Sequence, residues 1–283
     1  MQFIDLKKQQ EIIKKQLDEN IANVLSHGRF VKGPEIDKIE EELCGFTGAK
    51  HAIACASGTD ALQIALMALH LKPGDEIITS PFTFFATAEV IELLGFRPVF
   101  VDIESDTYNI DATKIEAKIT NRTKAIIPVS LYGQCSDMDM INQMARKHSL
   151  IVLEDAAQSF GATYKERMSC NLSHMAATSF FPSKPLGCYG DGGMVFTSDE
   201  NWAEKLRCMA NHGKNDRSHY VEIGINSRLD TLQAAVLLAK MSVFEEEISK
   251  RKTIGVRYTE LLKKHVKTPV VRDDRTCVYA QYT

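Results

Sequence analysis

The alternation of strand and helix patterns between residues 51 and 153 is the feature that most constrains the fold. Short apolar runs predict strands at 51–56, 76–79, 98–103, 124–130 and 150–153. Helical patterns lie between them, at 59–71, 84–94, 112–118 and 137–147. Chains with this alternation form right-handed crossovers, which give a mostly parallel sheet with helices on both faces. We therefore predict an α/β fold.

Helical patterns flank this central region. Residues 8–25 and 35–46 predict amphipathic helices, and a long helix is predicted over about 229–262. The last stretch, 276–283, alternates like a strand. We expect a large α/β domain with an N-terminal helical segment over residues 1–245. Residues 246–283 would then be the start of a smaller C-terminal domain, which we expect to be incomplete.

Composition excludes several classes of function. The 283 residues are 44% hydrophobic and 25% charged, with a net charge of −3, so a basic surface for nucleic acid is not expected. No apolar run reaches membrane-spanning length, and the first residues lack the order of a signal peptide. The seven cysteines show no Cys-x-x-Cys spacing. This pattern predicts reduced thiols, a cytoplasmic protein and no metal site.

Polar residues gather where the predicted strands end. Ser57, Ser80, Ser130, Asp155 and the segment before Lys184 all follow apolar runs. In parallel sheets, ligands bind at the carboxyl ends of the strands. We therefore expect these residues to lie along one edge of the sheet.

Lys184 is the strongest candidate for a reactive group. It lies between a short apolar run and the glycine-rich turn 190–193. Desolvation there would lower its pKa and make it a neutral nucleophile, able to form a Schiff base with a carbonyl cofactor. The alternative is a solvated surface charge, which is what most lysines are.

Asp155 and the turn at Ser57 are the next candidates. An aspartate directly after a buried strand must be paired, with a metal, with a base that it orients, or with a protonated heterocycle. It could instead cap the next turn. Gly58 and Thr59 open a helix, and a helix N-terminus binds phosphate well. The alternative is that Ser57 or Thr59 is only a helix cap.

Two further segments, one around Phe84 and one around Arg228, each allow more than one interpretation. An aromatic residue among Phe82, Phe84 and Phe85 could stack on a flat cofactor, although burial preference favours core packing. Arg228 could form a fork on a carboxylate or phosphate. Its neighbours Ser227 and Asp230 could cap the long helix.

Five motifs in order resemble the DegT/StrS group of nucleotide-sugar aminotransferases, which are fold-type-I enzymes that use pyridoxal 5′-phosphate (PLP). The resemblance runs from Phe3-Ile4 to the last residue. Its motifs are Ser57-Gly58-Thr59-Asp60-Ala61-Leu62, Thr83-Phe84-x-Ala86-Thr87, Glu154-Asp155-Ala156-Ala157-Gln158, Ser179-Phe180-Phe181-Pro182-Ser183-Lys184 and Gly224-x-Asn226-Ser227-Arg228-Leu229-Asp230.

This resemblance implies a role for each matched residue. Lys184 would form the Schiff base, and Asp155 would pair with the pyridine nitrogen and keep it protonated. Gln158 would lie near the phenolic oxygen of PLP, and Phe84 would stack on its ring. The phosphate would be bound by Gly58, Thr59 and Ser179, with Asn226 of the neighbouring subunit in a homodimer that shares its active sites.

The resemblance also implies a substrate. The segments around Ser130 and Ser169-Cys170-Asn171 look most like those of enzymes that aminate UDP-2-acetamido-2-deoxy-3-oxo-glucuronate, with L-glutamate as the expected donor. Many relatives have His where this chain has Ser130. A uronate carboxylate needs a cationic partner, and Arg228 is the candidate. The product would serve O-antigen or other surface-polysaccharide (lipopolysaccharide) biosynthesis.

Other functions remain as alternatives. The chain could aminate a 4-keto deoxysugar nucleotide, or it could be a PLP-binding sensor without turnover. Family dehydratases have histidine in place of the lysine, so Lys184 disfavours that chemistry. A nicotinamide-binding protein is disfavoured because no Gly-x-Gly-x-x-Gly follows the first strand.

Overall fold

The computed structural model describes residues 5–215 and 219–283. Phe3 and Ile4, where the resemblance begins, lie outside them. A seven-stranded sheet runs in the order β1-β9-β8-β5-β4-β2-β3, and β6 and β7 form a separate hairpin. The strands are β1 His51–Cys55, β2 Glu76–Thr79, β3 Arg97–Phe100, β4 Thr123–Ile126, β5 Ile151–Asp155, β6 Thr163–Tyr164, β7 Arg167–Met168, β8 Met175–Ser179 and β9 Gly193–Thr197.

The expectation of a mostly parallel sheet is confirmed. The pairs β2–β3, β2–β4, β4–β5 and β5–β8 are parallel. Only β9 runs the other way among these seven described strands, since it pairs antiparallel with both β1 and β8. The carboxyl ends of the six remaining strands therefore lie along one edge, as the pattern of strand ends predicted.

Helices cover both faces of this sheet, so its strands are buried on both sides. The helices are α1 Leu6–His27, α2 Pro34–Thr47, α3 Gly58–Ala68, α4 Ala86–Leu93, α5 Met138–His148, α6 Glu200–Met209 and α7 Thr231–Leu262. One apolar core packs α3 between β1, β8 and α6. A second core joins α1, α2 and α7 on the opposite face. None of the described helices is long and apolar enough to cross a lipid bilayer.

Two local predictions were wrong. The helix expected at 112–118 consists of two 3-10 turns, Ala112–Lys114 and Glu116–Lys118. So short a segment before β4 favours i→i+3 bonds, because nucleating an α-helix is costly. The strand expected at 276–283 is absent from the described residues. There, Cys277 forms only an isolated bridge to Gln134, and the left-handed Tyr279 (φ 46°) interrupts an extended chain.

The domain boundary stays a prediction. The division at residues 245 and 246 falls inside α7, which runs without a break from Thr231 to Leu262. Past α7, the chain returns to the large domain. Gln134 donates to the carbonyl of Val270 (2.9 Å) and Arg275 donates to the carbonyl of Cys135 (2.9 Å). The last described residues therefore pack near the loop that follows β4.

Candidate active site

Lys184 lies in a tight loop that follows β8. Its backbone N–H donates to the carbonyl of Phe181 (2.8 Å), and Cys188 donates back to Phe180 (2.8 Å). A Cβ at Gly187 would lie 2.6 Å from the carbonyl oxygens of Phe181 and Pro182, so only glycine allows this loop to close. Burial lowers the pKa of Lys184, while the charge of Asp155 acts in the opposite direction. The prediction of a desolvated lysine with a depressed pKa is confirmed.

Asp155 is the last residue of β5 and only 5% exposed. The hydroxyl of Thr87 donates to its Oδ2 (2.8 Å), and the N–H of Ala157 donates to its Oδ1 (3.2 Å). Burial raises the pKa of Asp155, and these two bonds and the charge of Lys184 oppose that rise. Asp155 thus caps the next turn, as one alternative held, and is also coupled electrostatically to Lys184.

The structure brings Gly58, Thr59 and Ser179 together. Ser57 caps α3, because its hydroxyl accepts from the N–H of Asp60 (3.0 Å). A Cβ on Gly58 would lie 2.5 Å from the Cβ of Ser179. The missing side chain therefore lets the end of β8 touch the N-terminus of α3. The two alternatives for this turn do not exclude each other, since the cap bonds the N–H of Asp60 and leaves the amides of Gly58 and Thr59 at the half-buried helix end.

Gln158 is held by the loop that follows β4. Its Oε1 accepts from the backbone N–H of Tyr132 (2.7 Å). Tyr132 has a left-handed backbone (φ 58°), a conformation that costs energy for a residue with a side chain. Because the oxygen of Gln158 is engaged, the group that it can offer to a ligand is the amide N–H₂.

The aromatic residues after β2 are not core residues. Phe82, Phe84 and Phe85 are 43%, 70% and 71% exposed, so the core-packing interpretation is wrong. These residues precede α4, and the cap position of that helix at Phe85 has no side-chain hydrogen bond. Phe84 is therefore available to contact something outside the described chain.

Asn226 and Arg228 lie in the segment that precedes α7. Asn226 is exposed and forms a bridge to Asn211. Arg228 and Ser227 line a groove of about 860 Å³, together with Glu40 and Arg207. Lys184 does not line this groove. Lys184 and Asp155 interact electrostatically at the strand edge, and perturbed pKa values cluster where chemistry occurs, so this edge is the candidate reactive site.

Of the two residues predicted as possible caps of the long helix, only Asp230 lies at the cap position. Asp230 occupies the cap position of α7 without a side-chain hydrogen bond. The hydroxyl of Ser227 is buried and accepts from the N–H of Ala56 (3.2 Å), just after β1. This bond ties the segment 226–228 to the strand end that precedes Gly58.

Glu154 is a buried carboxylate that sequence reasoning left without a role. It is 0% exposed, and three groups of the chain donate to it: the hydroxyls of Ser130 (2.9 Å) and Ser169 (2.8 Å) and the N–H of Cys170 (3.0 Å). Burial raises its pKa. The sequence did contain a signal for this residue. Side chains alternate between the two faces along a strand, so Glu154 must lie on the face opposite Asp155.

These groups suit one kind of cofactor. The amine of Lys184 can take a carbonyl, and the carboxylate of Asp155 can take a protonated ring nitrogen. Ser179 lies against the half-buried N-terminus of α3, and a helix N-terminus suits a phosphate. Over residues 5–215 and 219–283, no cluster of three or more His, Cys, Asp or Glu could hold a metal ion.

Comparison with known proteins identifies relatives over the whole chain. The model of the DegT/DnrJ/EryC1/StrS aminotransferase family matches residues 11–283. The UDP-2-acetamido-2-deoxy-3-oxo-D-glucuronate aminotransferase of Pseudomonas aeruginosa is 56% identical over 100% of this chain and 79% of its own length.

Solved structures agree with this match. A DegT DnrJ EryC1 StrS aminotransferase from Brucella abortus superposes with a TM-score of 0.98 at 46% identity, covering 100% of this chain and 78% of its own. The NtdA protein of Bacillus subtilis, with its cofactor PMP bound, has a TM-score of 0.88 at 34% identity, covering 95% of this chain and 62% of its own. PMP is the amine form of PLP.

Proposed function

The chain belongs to the DegT/DnrJ/EryC1/StrS aminotransferase family, and from that premise we propose that it transfers an amino group from L-glutamate to UDP-2-acetamido-2-deoxy-3-oxo-D-glucuronate. The observation that carries the chemistry is geometric: Asp155 ends β5, and the loop of Lys184 follows the adjacent strand β8, so the two groups lie at neighbouring strand ends, where their charges interact. The likeness to the P. aeruginosa enzyme over the whole chain supports this substrate. The product is a 3-amino sugar nucleotide for a surface polysaccharide such as the O-antigen.

PLP is the proposed cofactor, as in the rest of the family. When bound, it supplies an aldehyde that captures amines and a ring that accepts electron density. Lys184 holds it through the ε-amine, and Asp155 accepts the N–H of its ring nitrogen. The amides of Gly58 and Thr59 and the hydroxyl of Ser179 hold its phosphate.

Lys184 is also the proposed general base and acid. The donor's amino group would first replace the ε-amine of Lys184 on the cofactor, which frees that amine. The neutral amine would then take a proton from the α-carbon of the donor and deliver it to the C4′ carbon, and burial favours the neutral form of Lys184. Asp155 keeps negative charge beside the ring nitrogen throughout, which is a preorganised electrostatic contribution.

Two further side chains complete the cofactor site. Gln158 offers its amide N–H₂ to the phenolic oxygen, since its Oε1 is engaged by Tyr132. The exposed ring of Phe84 stacks on the cofactor ring. Both roles are those that the family resemblance implies, and both residues lie just after strands that end at the same sheet edge.

We propose a cytoplasmic homodimer in which Asn226 of one subunit completes the phosphate site of the other. The exposed Phe84, Phe85 and Ile223 (86% exposed) support a covering partner surface. All seven cysteines are free, which fits a reducing compartment. Mixing Lys184→Ala chains with Asn226→Ala chains should restore about a quarter of wild-type activity, because half of the dimers are mixed and half of their sites are intact. A mixture as inactive as its parents would contradict shared sites.

The direct test of the cofactor assignment is borohydride reduction of the PLP-loaded protein, followed by peptide mapping. The label should appear on Lys184. A label on another lysine, or no label, would refute the assignment.

The substrate is tested by mass spectrometry of the product formed from the 3-oxo uronate nucleotide and glutamate. A parallel reaction with a 4-keto deoxysugar nucleotide should give little product, and the reverse preference would favour that alternative. Incubation with glutamate alone should convert bound PLP to PMP. Unchanged absorbance there would favour a sensor.

A further inference from the structure

Thr87 is a buried residue in the first turn of α4 whose side chain reaches the end of β5. It is 1% exposed, and its Oγ1 lies 2.8 Å from Oδ2 of Asp155. The two residues are 68 positions apart in the chain. The contact therefore exists only because the segment between β2 and α4 packs against the end of β5.

The direction of this hydrogen bond follows from the neighbours of Thr87. Its Oγ1 also lies 3.0 Å from Oγ1 of Thr83 and 3.3 Å from the carbonyl oxygen of Phe84. A threonine hydroxyl has one proton, and neither a carboxylate nor a carbonyl can donate. The shorter, charge-assisted bond to Asp155 takes the proton, so Thr83 is left to donate to Thr87.

This arrangement fixes both the charge and the orientation of Asp155. Thr87 holds Oδ2 while the N–H of Ala157 holds Oδ1, so the carboxylate plane cannot rotate freely. Burial opposes ionisation of Asp155. Lys184 favours the carboxylate form of Asp155, and the negative charge of Asp155 in turn raises the pKa of Glu154 on the opposite face of the sheet. Thr87 is the side-chain donor that offsets this burial.

We propose that Thr87 is a positioning residue, whose hydroxyl keeps Asp155 ionised and aimed at the ring nitrogen of the cofactor. The ligand in this inference rests on the proposed function. A purely structural role would be the bond to the carbonyl of Phe84 in the same helical turn. That role does not involve Asp155, so the two can be separated.

The test compares binding of PLP with binding of 1-deaza-PLP, in which carbon replaces the ring nitrogen, to cofactor-free protein. Wild type should prefer PLP, because only PLP offers an N–H to Asp155. Thr87→Val removes the donor and keeps the shape. It should weaken PLP binding about ten- to hundredfold, the effect of losing a bond to a charged group, and leave the affinity for 1-deaza-PLP nearly unchanged. Thr87→Ser should restore the preference.

Thr79→Val is the matched control. Thr79 is also fully buried, and its hydroxyl donates to the carbonyl of Ile127 over the same 2.8 Å. The same substitution there should leave the ratio of the two affinities unchanged.

The outcomes separate this inference from the proposed function. If Thr87→Val leaves the ratio of the affinities for PLP and 1-deaza-PLP unchanged, as an equal loss for both compounds would, the role of Thr87 is overturned. If wild type itself binds both compounds equally, the pairing of Asp155 with the ring nitrogen fails, and the inference fails with it.

Discussion

Two carboxylates stand side by side at the end of β5, on opposite faces of the sheet. Both are buried, and burial raises the pKa of both. Glu154 accepts from three donors of its own chain. Asp155 accepts from two and is coupled to the amine of Lys184. A carboxylate has about four acceptor positions, so Asp155 keeps more capacity for a ligand.

The difference teaches that burial alone does not identify a functional carboxylate. Glu154 joins three segments of the chain, namely the loop after β4 through Ser130, the loop after β7 through Ser169, and β5 itself. Its donors are internal, so it stabilises the fold. What distinguishes Asp155 is unused acceptor capacity beside a reactive amine.

The same comparison changes the meaning of Ser130. In the sequence, Ser130 and the segment 169–171 pointed to a uronate substrate. In the structure, the hydroxyls of Ser130 and Ser169 both donate to Glu154, and both residues are fully buried. Any influence of these residues on the substrate must therefore pass through the shapes of the loops after β4 and β7.

The largest effect on activity is expected on the side of the sheet where Asp155 lies. Lys184→Ala should abolish turnover, with a loss of at least about 10⁴-fold, because it removes both the nucleophile and the general base. Turnover and the absorbance of bound PLP are the measurements. Lys165→Ala, which removes an exposed lysine paired with Asp139, is the control. Near-normal turnover in Lys184→Ala would contradict the assignment.

Asp155→Ala and Glu154→Gln should separate the two faces directly. Asp155→Ala should lower kcat/KM by about 10²- to 10³-fold, as expected for a preorganised electrostatic group, while circular dichroism shows an intact fold. Glu154→Gln should lower kcat/KM less than about threefold per folded molecule. Comparable losses in both variants would break the distinction between the faces.

Arg228→Ala extends the comparison to the groove. We expect kcat/KM for the uronate substrate to fall about 10- to 100-fold, the effect of losing a charged hydrogen-bonding partner. A neutral-sugar analogue should lose much less. Arg207→Ala is the control, since Arg207 lines the same groove but pairs with Glu40 (2.8 Å). Equal losses for the two substrates would argue against carboxylate recognition.

On the side of the sheet where Glu154 lies, a substitution should change the stability of the fold. Glu154→Gln should lower the free energy of unfolding by about 1–3 kcal/mol, because the single oxygen of glutamine cannot accept both from the N–H of Cys170 and from the hydroxyls of Ser130 and Ser169. A raised pKa means that the folded state binds more protons, so Glu154 makes stability fall as pH rises from 4.5 through the folded-state pKa. Thermal unfolding against pH measures both effects. Asp155 also has a raised pKa and contributes a slope of the same sign, so the test is a difference: if the slope in Glu154→Gln is as steep as in wild type, Glu154 does not contribute to it.

The smallest effect concerns the coupling between Asp155 and Lys184. Reaction with PLP needs the neutral amine, so its rate in cofactor-free protein should rise with pH and reach its midpoint below 10.5. Because Asp155 raises the pKa of Lys184, Asp155→Asn should move that midpoint to lower pH. Stopped-flow absorbance measures the rate. A shift to higher pH would contradict the coupling.

Much of the site could be predicted from sequence because strand ends are local features. The alternating pattern placed Ser57, Asp155 and Lys184 at one edge before any contact was known. The exposure of Phe84 could not be predicted, since burial preference favours the core for any phenylalanine. The 3-10 turns at 112–118 were missed because the local pattern does not show how little chain remains before β4.

The sequence by itself determined the parallel sheet, the edge where its polar residues meet and the lysine most suited to reaction. Those properties follow from periodicity and from the chemistry of single residues. Only the tertiary structure decided which donors meet which carboxylate. Ser130 and Ser169 turn to Glu154, while Thr87 reaches Asp155 across 68 residues. The reason is that such contacts depend on how distant segments pack, and no local pattern encodes that packing.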